Sequence, residues 1–148
     1  FLDRATMGMR DRNFILRPHP SIPIQDALEA TRFSRPEMFS PSAKSLEEDL
    51  KWADAVLFVS STVGMEAISR GVPAVYLDLG DFLDTDAMLN WDVLKWKALQ
   101  PSDLSPIFDA IEAIPDDEFA RRQEGGREFV DSYLAPVTEH GIRVFLDA

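Results

Sequence analysis

The run Ser60-Ser61-Thr62-Val63-Gly64-Met65-Glu66 carries the residue types needed to hold a phosphate without a lysine. Its hydroxyls and glycine stand where a short apolar run hands over to a helical pattern. A helix start leaves backbone N–H groups unpaired and presents the positive end of the peptide dipoles, so it favours an anion. Ser60, Ser61 and Thr62 add hydroxyl donors, and Gly64 lets a ligand approach the backbone closely. Two or three hydrogen bonds to a charged group, each worth ~1.5–3 kcal/mol, anchor a phosphate. The same hydroxyls are also ordinary helix caps, although a single cap accounts for only one of them. Glu66 cannot belong to a capping box, because Val63 stands where a Ser or Thr would be needed. Its carboxylate can accept hydrogen bonds from a ribose diol beside the phosphate, or sit on a solvated face near the helix dipole.

A second constellation is Arg17-Pro18-His19-Pro20, which closes an apolar run. The prolines hold His19 in a fixed loop, where its imidazolium could bind a leaving phosphate or protonate it as it departs. Arg17 offers a second cation to the same anion, although a lone His is more often structural and the Arg side chain has other choices. The acids Asp78, Asp81, Asp84 and Asp86 are expected to form an exposed acidic loop, and no metal site is expected. Trp91 and Trp96 either stack on a base or close the core. His140 has no evident partner.

The elements that must position these groups follow from the hydrophobic pattern. Phe1–Arg10 is helix-compatible and ends in the polar turn Asp11-Arg12-Asn13. Phe14-Ile15-Leu16 is a continuous apolar run, the mark of a strand buried on both faces. Ile22–Thr31 suits a short helix with Pro23 in its first turn. Met38-Phe39 suits a strand before the loop Ser40-Pro41-Ser42. Ser45 and Glu48 form a capping box that opens a helix through Trp52. Ala55–Val59 is a buried strand, and the Ser60–Thr62 turn opens a helix to about Arg70. Gly71 supplies its left-handed stop, and Pro73 forbids continuation. Ala74–Leu77 is a third buried strand, and Lys97-Ala98-Leu99 suits a short edge strand. Ser102–Ile114, Asp116–Leu134 and Thr138–Leu146 read as helices, the second interrupted at Gly125-Gly126. This alternation predicts an α/β fold, a Rossmann-like doubly wound parallel sheet in three α/β/α layers. Ligands of such sheets bind outside the carboxyl ends of the strands, where both constellations fall.

Composition narrows the function. The 148 residues suit one domain, and 45% are hydrophobic, enough for a core. Lys and Arg number 15 against 26 Asp and Glu, for a net charge of −11, which argues against nucleic acid and against broad adhesion to anionic membranes. An anionic ligand must be held by a local positive spot in a negative field. The lack of cysteine excludes disulfides, thiolate metal sites and a Cys nucleophile. The longest apolar run is far too short to span a bilayer, and no signal peptide is evident. The expected location is the cytoplasm, with any contact to the inner face of the membrane made through segments outside this chain. Because the chain opens on Phe1 in a helical run, it is expected to be a piece of a longer polypeptide.

The stretch "SSTVGMEAISRGVPAVYLD" at 60–78 resembles the donor-binding segment in the C-terminal domain of GT-B glycosyltransferases. "RPHP" at 17–20 resembles the His-Pro motif of the branch that includes bacterial sialyltransferases, capsule polysaccharide transferases and CDP-glycerol glycerophosphotransferases, and "SLEEDLKWADAVLFVSS" fits the interval between. The resemblance covers most of residues 13–100. It implies a donor-binding domain for a CMP-, CDP- or UDP-activated sugar or polyol in cell-envelope or capsular polysaccharide synthesis. It further implies that His19, Ser60, Ser61 and Thr62 meet the donor phosphate, that Glu66 lies near the ribose or base, and that the nucleotide-activated donor is a substrate with no further cofactor. The family's upstream second Rossmann-like domain, which supplies the acceptor site, is not among these residues, so the chain alone is expected to bind donor weakly and turn over nothing. Two alternatives stand beside it. A UDP-N-acetylglucosamine 2-epimerase-like domain is disfavoured by Ala67 where an adjacent second glutamate is usual. A phosphoacceptor signalling module is disfavoured by Arg17-Pro18-His19 where an acidic pair is needed.

Overall fold

The apolar runs at Phe14–Leu16, Val56–Phe58 and Ala74–Leu77 become strands, but only the last is buried throughout. Ile15 is exposed, which corrects the expectation that its strand is covered on both faces. The computed structural model describes residues 1–9, 11–18, 31–80, 85–134 and 138. They form a mixed α/β arrangement with two small parallel sheets. In the first sheet, β1 (Phe14–Leu16) pairs with β2 (Phe39–Pro41), with Phe14 opposite Phe39. Those two rings stack at 5.4 Å, and Phe33 stacks on Phe39 at 4.2 Å. β2 thus runs through Ser40 and Pro41, where a loop was expected. Pro41 is tolerated because Ser42 beside it donates the next bond to β1, to the Leu16 carbonyl at 2.8 Å. The N–H that Pro41 lacks therefore belongs to the side of the edge strand facing away.

The second sheet has the order β3 (Val56–Phe58), β4 (Ala74–Leu77), β5 (Lys95–Ala98), all parallel. Every residue of the central strand β4 is buried. Ala74 and Tyr76 join a cluster with Phe58, Met65, Ile68, Leu94 and Val130, whereas Val75 and Leu77 join another with Ala98, Leu104 and Phe108. Period-two alternation therefore feeds two cores from one strand. Phe14, Leu16 and Phe39 belong to the second cluster, so both sheets share it. Among the described residues no ladder joins the two sheets, and the single sheet expected from the strand rhythm is found as two pieces.

Five α-helices complete the described chain: α1 (Leu2–Thr6), α2 (Leu46–Trp52), α3 (Val63–Ser69), α4 (Leu104–Glu112) and α5 (Asp116–Tyr133). The capping box of α2 forms as expected: Ser45 Oγ accepts the Glu48 N–H at 3.2 Å, and the Glu48 carboxylate accepts the Ser45 N–H at 3.0 Å. α3 stops at Gly71, whose φ of +76° places it in the left-handed region, and the Val72 N–H returns to the Ala67 carbonyl at 2.9 Å. The helix expected from Ser102 begins instead as a 3₁₀ turn at Pro101–Asp103 and becomes α4 at Leu104. α5 is continuous through Gly125-Gly126, which corrects the expected interruption. A Cβ on Gly126 would lie 2.8 Å from Ile68 Cγ2, so this glycine lets α5 rest directly on α3. The Gln123 side-chain amide fastens the same contact by donating to the Gly71 carbonyl at 2.8 Å. Of the helices expected over 22–31 and 138–146, all but Thr31 and Thr138 lie outside the described residues. Among the described residues no helix is long and apolar enough to cross a membrane.

Candidate functional site at the carboxyl edge of the second sheet

The Ser60–Thr62 turn links the end of β3 to α3, at the carboxyl edge of a parallel sheet. Its position is set from below. Met65 and Ile68 of α3 sink into the core under β4, and Ala67 packs with Leu50 of α2 and Val72. With that face buried, the turn itself is left outward, and Ser60, Ser61 and Thr62 are all exposed. Ser61 Oγ accepts the Val63 N–H at 3.2 Å, which is the capping role. Thr62 stands at the N-cap without a side-chain cap bond. The hydroxyls of Ser60 and Thr62 make no hydrogen bond to another described residue. One hydroxyl therefore caps, and two remain directed to solvent.

Gly64 has a different use from the one expected. It is buried, and a Cβ there would lie 2.8 Å from two atoms of the Phe58 ring and 3.0 Å from Met88 Cε. The absent side chain is accounted for by α3 packing on β3, with the space already filled from inside. Glu66 is exposed in the first turn of α3. Arg17 also departs from expectation. Its Nη1 donates to Asp49 Oδ2 at 2.9 Å and to the Lys44 carbonyl at 2.8 Å, and Asp49 is in turn held by Ser42 Oγ at 2.6 Å. Arg17 thus ties the end of β1 to the segment between β2 and α2. His19 and His140 lie outside the described residues, so the juxtaposition of His19 with the Ser60–Thr62 turn remains an expectation.

The acids of the segment between β4 and β5 do not form the exposed loop expected of them, as far as they are described. Asp86 is buried in an ion pair with Lys95, whose ammonium also donates to the Met88 carbonyl; the side chains are 2% and 6% exposed. Asp78 pairs with Lys97 at 2.9 Å, with side chains 28% and 37% exposed. The Lys97 hydrogen bond, assisted by the Gly80 N–H, holds the Asp78 carboxyl below its ordinary range. Asp81 and Asp84 lie outside the described residues. Among the described residues no three His, Asp or Glu side chains are grouped to hold a metal ion. Trp91 stacks on Phe129 at 4.6 Å, and Trp96 packs against the hydrophobic clusters, the core use of both rings.

The Asp78–Lys97 pair stands at the carboxyl end of β4 and β5. Phe58, Tyr76 and Lys97 stand opposite one another across β3, β4 and β5. The pairing of β3 with β4 ends at Phe58 and Tyr76, whereas that of β4 with β5 runs on, the Asp78 N–H bonding the Ala98 carbonyl at 2.9 Å. The pair was not foreseen. Its signal is present in β5, where Lys95 and Lys97 occupy alternate positions of a strand in an acidic chain. An open cleft of about 430 Å³ lies between α1 and the turn after β5, lined by Arg4, Gly8, Gln100, Ser102 and Ser105. None of the hydroxyl-turn residues lines it. Comparison of the chain with protein-family models, curated proteins and solved structures finds no match.

Proposed function

We propose that this chain is the donor-binding domain of a GT-B type glycosyltransferase or polyol-phosphate transferase. In this reading the described sheets belong to one Rossmann-like doubly wound sheet with helices on both faces. A second domain of the same polypeptide supplies the acceptor site, and the chain alone binds donor without turnover. The donor carries a CMP, CDP or UDP leaving group, and the product is a cell-envelope or capsular polymer made in the cytoplasm.

The observation that carries the reading is the exposed Ser60-Ser61-Thr62 turn at the carboxyl end of a strand in a parallel sheet, ahead of a helix start. Such an edge offers a phosphate both hydroxyl donors and unpaired backbone N–H groups. Ser60, Ser61 and Thr62 hold the donor phosphate, Glu66 takes the ribose, and His19 meets the departing phosphate. Titration of the chain with CMP, CDP, UMP and UDP tests this by NMR. Amide shifts at Ser61, Thr62 and Gly64, with a His19 imidazole response, are expected at millimolar nucleotide. A spectrum unmoved by all four nucleotides overturns the reading.

A further inference from the structure

Gly71 and Gly80 lie at positive φ, and a Cβ on Gly64 or Gly126 would stand 2.8 Å from a packed side chain. Gly8 answers to neither need. Its φ is not positive, and a Cβ there would meet nothing within 4 Å. Gly8 stands in the wall of the open cleft of about 430 Å³ between α1 and the turn after β5. The glycine is therefore unexplained by backbone or packing, and its effect is to leave that cleft wider.

The same cleft carries the donors that an anion requires. Arg4 lines it, and among the described residues its guanidinium has neither an ion pair nor a hydrogen bond. Ser102 and Ser105 line it too, both exposed, with hydroxyls that make no hydrogen bond to another described residue. The acids beside these residues in the chain are turned to other partners. Asp3 accepts the Ser34 N–H at 2.6 Å and its hydroxyl at 2.9 Å. Asp103 accepts the N–H groups of Leu99 and Gln100 at 2.9 and 3.0 Å. The α1 wall is fixed in advance: Ala5 and Met9 belong to the core with Leu104, and Arg35 donates to the Thr6 and Met9 carbonyls. Gln100 follows two residues after Ala98, so the cleft opens past the carboxyl end of β5, where open parallel sheets take their ligands.

We propose that this cleft binds a small non-aromatic phosphate monoester, with its phosphate on Arg4, Ser102 and Ser105 and its alcohol part in the space that Gly8 leaves. A guanidinium presents its donors in a fork that matches phosphate, and hydroxyls complete the shell. In a chain of net charge −11, an unpaired arginine beside free hydroxyls is a local attraction for an anion. The volume of about 430 Å³ exceeds the needs of a bare phosphate and falls within the roughly 300–1,000 Å³ of small-molecule sites. None of the described lining residues is aromatic, so none can stack on a nucleobase. No residue of the Ser60–Thr62 turn lines the cleft, and its ligand is independent of the donor-binding reading.

Glucose 1-phosphate and glycerol 3-phosphate are titrated into the chain and followed by NMR, beside inorganic phosphate, glucose and gluconate. The amides of Gly8, Ser102 and Ser105 shift with at least one ester at millimolar concentration. Arg4→Gln weakens that ester by about ten- to a hundredfold, the loss expected for hydrogen bonds to a charged group. Gly8→Leu fills the cleft and removes binding while its melting temperature stays at or above that of the parent, since nothing in the fold needs the glycine. The proposal falls if neither ester moves those amides, or if binding survives both variants. Inorganic phosphate or gluconate held as tightly as the esters overturns the assignment to a phosphate monoester, and glucose held as tightly denies Arg4 its part. Should Gly8→Leu fail to fold, Arg4→Gln and the smaller Gly8→Ala decide, each weakening the ester in a chain that melts like the parent.

Discussion

Two aspartate–lysine pairs brace the connection from β4 to β5, and they are chemically the same contact in two settings. Asp86–Lys95 is almost wholly buried, whereas Asp78–Lys97 stands open at the carboxyl edge. The difference lies in what surrounds the charges. A buried pair has given up its water and depends on its partner and on every accessory hydrogen bond, here the Met88 carbonyl and the Met88 N–H. An open pair keeps part of its hydration and contributes little to stability. Burial therefore makes one pair part of the core and leaves the other partly hydrated.

The largest effect comes from cutting the buried pair on one side. Lys95→Met takes the paired cation from buried Asp86 and is expected to cost about 3–5 kcal/mol in urea unfolding, while the double variant with Asp86→Leu recovers most of the loss. Gly64→Ala comes next. Its new methyl group meets the Phe58 ring and Met88, an overpacking cost of about 1–3 kcal/mol set against a helix-propensity gain of about 1 kcal/mol. Net destabilisation supports the packing role of Gly64. Unchanged stability with lost nucleotide binding would return it to the ligand. Lys97→Gln should leave the urea midpoint near that of the parent, in contrast to Lys95→Met, and a comparable loss would erase the distinction between the pairs.

The smallest effect is on pH dependence. Asp78 has its carboxyl pKa lowered in the folded chain, so its contribution is present above the ordinary aspartate value of about 3.9 and is lost as pH falls through the depressed folded value. The melting temperatures of the parent and Asp78→Asn should therefore differ slightly at neutral pH and converge on acidification. Divergence at low pH would reverse the sign and contradict the pairing.

Local chemistry was legible in the sequence, and distant pairing was not. The Ser45–Glu48 box and the Gly71 stop were readable because each is decided within one turn of backbone. β4 was readable because four consecutive apolar residues suit a strand covered on both faces. Ser40 and Pro41 have the local composition of a loop, and nothing near them in the sequence shows that β1 lies alongside to pair with them. Intrinsic propensity marks Gly125-Gly126 as a break, yet the contact of Gly126 with Ile68 of another helix decides otherwise. In the site, the exposed hydroxyl turn was visible from its place between strand and helix. The use of Arg17 by Asp49, and of Asp78 by Lys97, depended on partners that only the fold brings together.

The seat of α5 on α3 also governs how the hydroxyl turn moves. α3 is short, and its exit into β4 is tied to α5 through the Gln123–Gly71 hydrogen bond. Opening of α5 would thus unfasten the far end of the element whose near end presents Ser60–Thr62. Amide exchange along α3 should accelerate together with that of α5 as one cooperative unit. A Gln123→Ala chain would then show faster amide exchange at Ser60–Thr62, although the Gln123 hydrogen bond lies at the opposite end of α3.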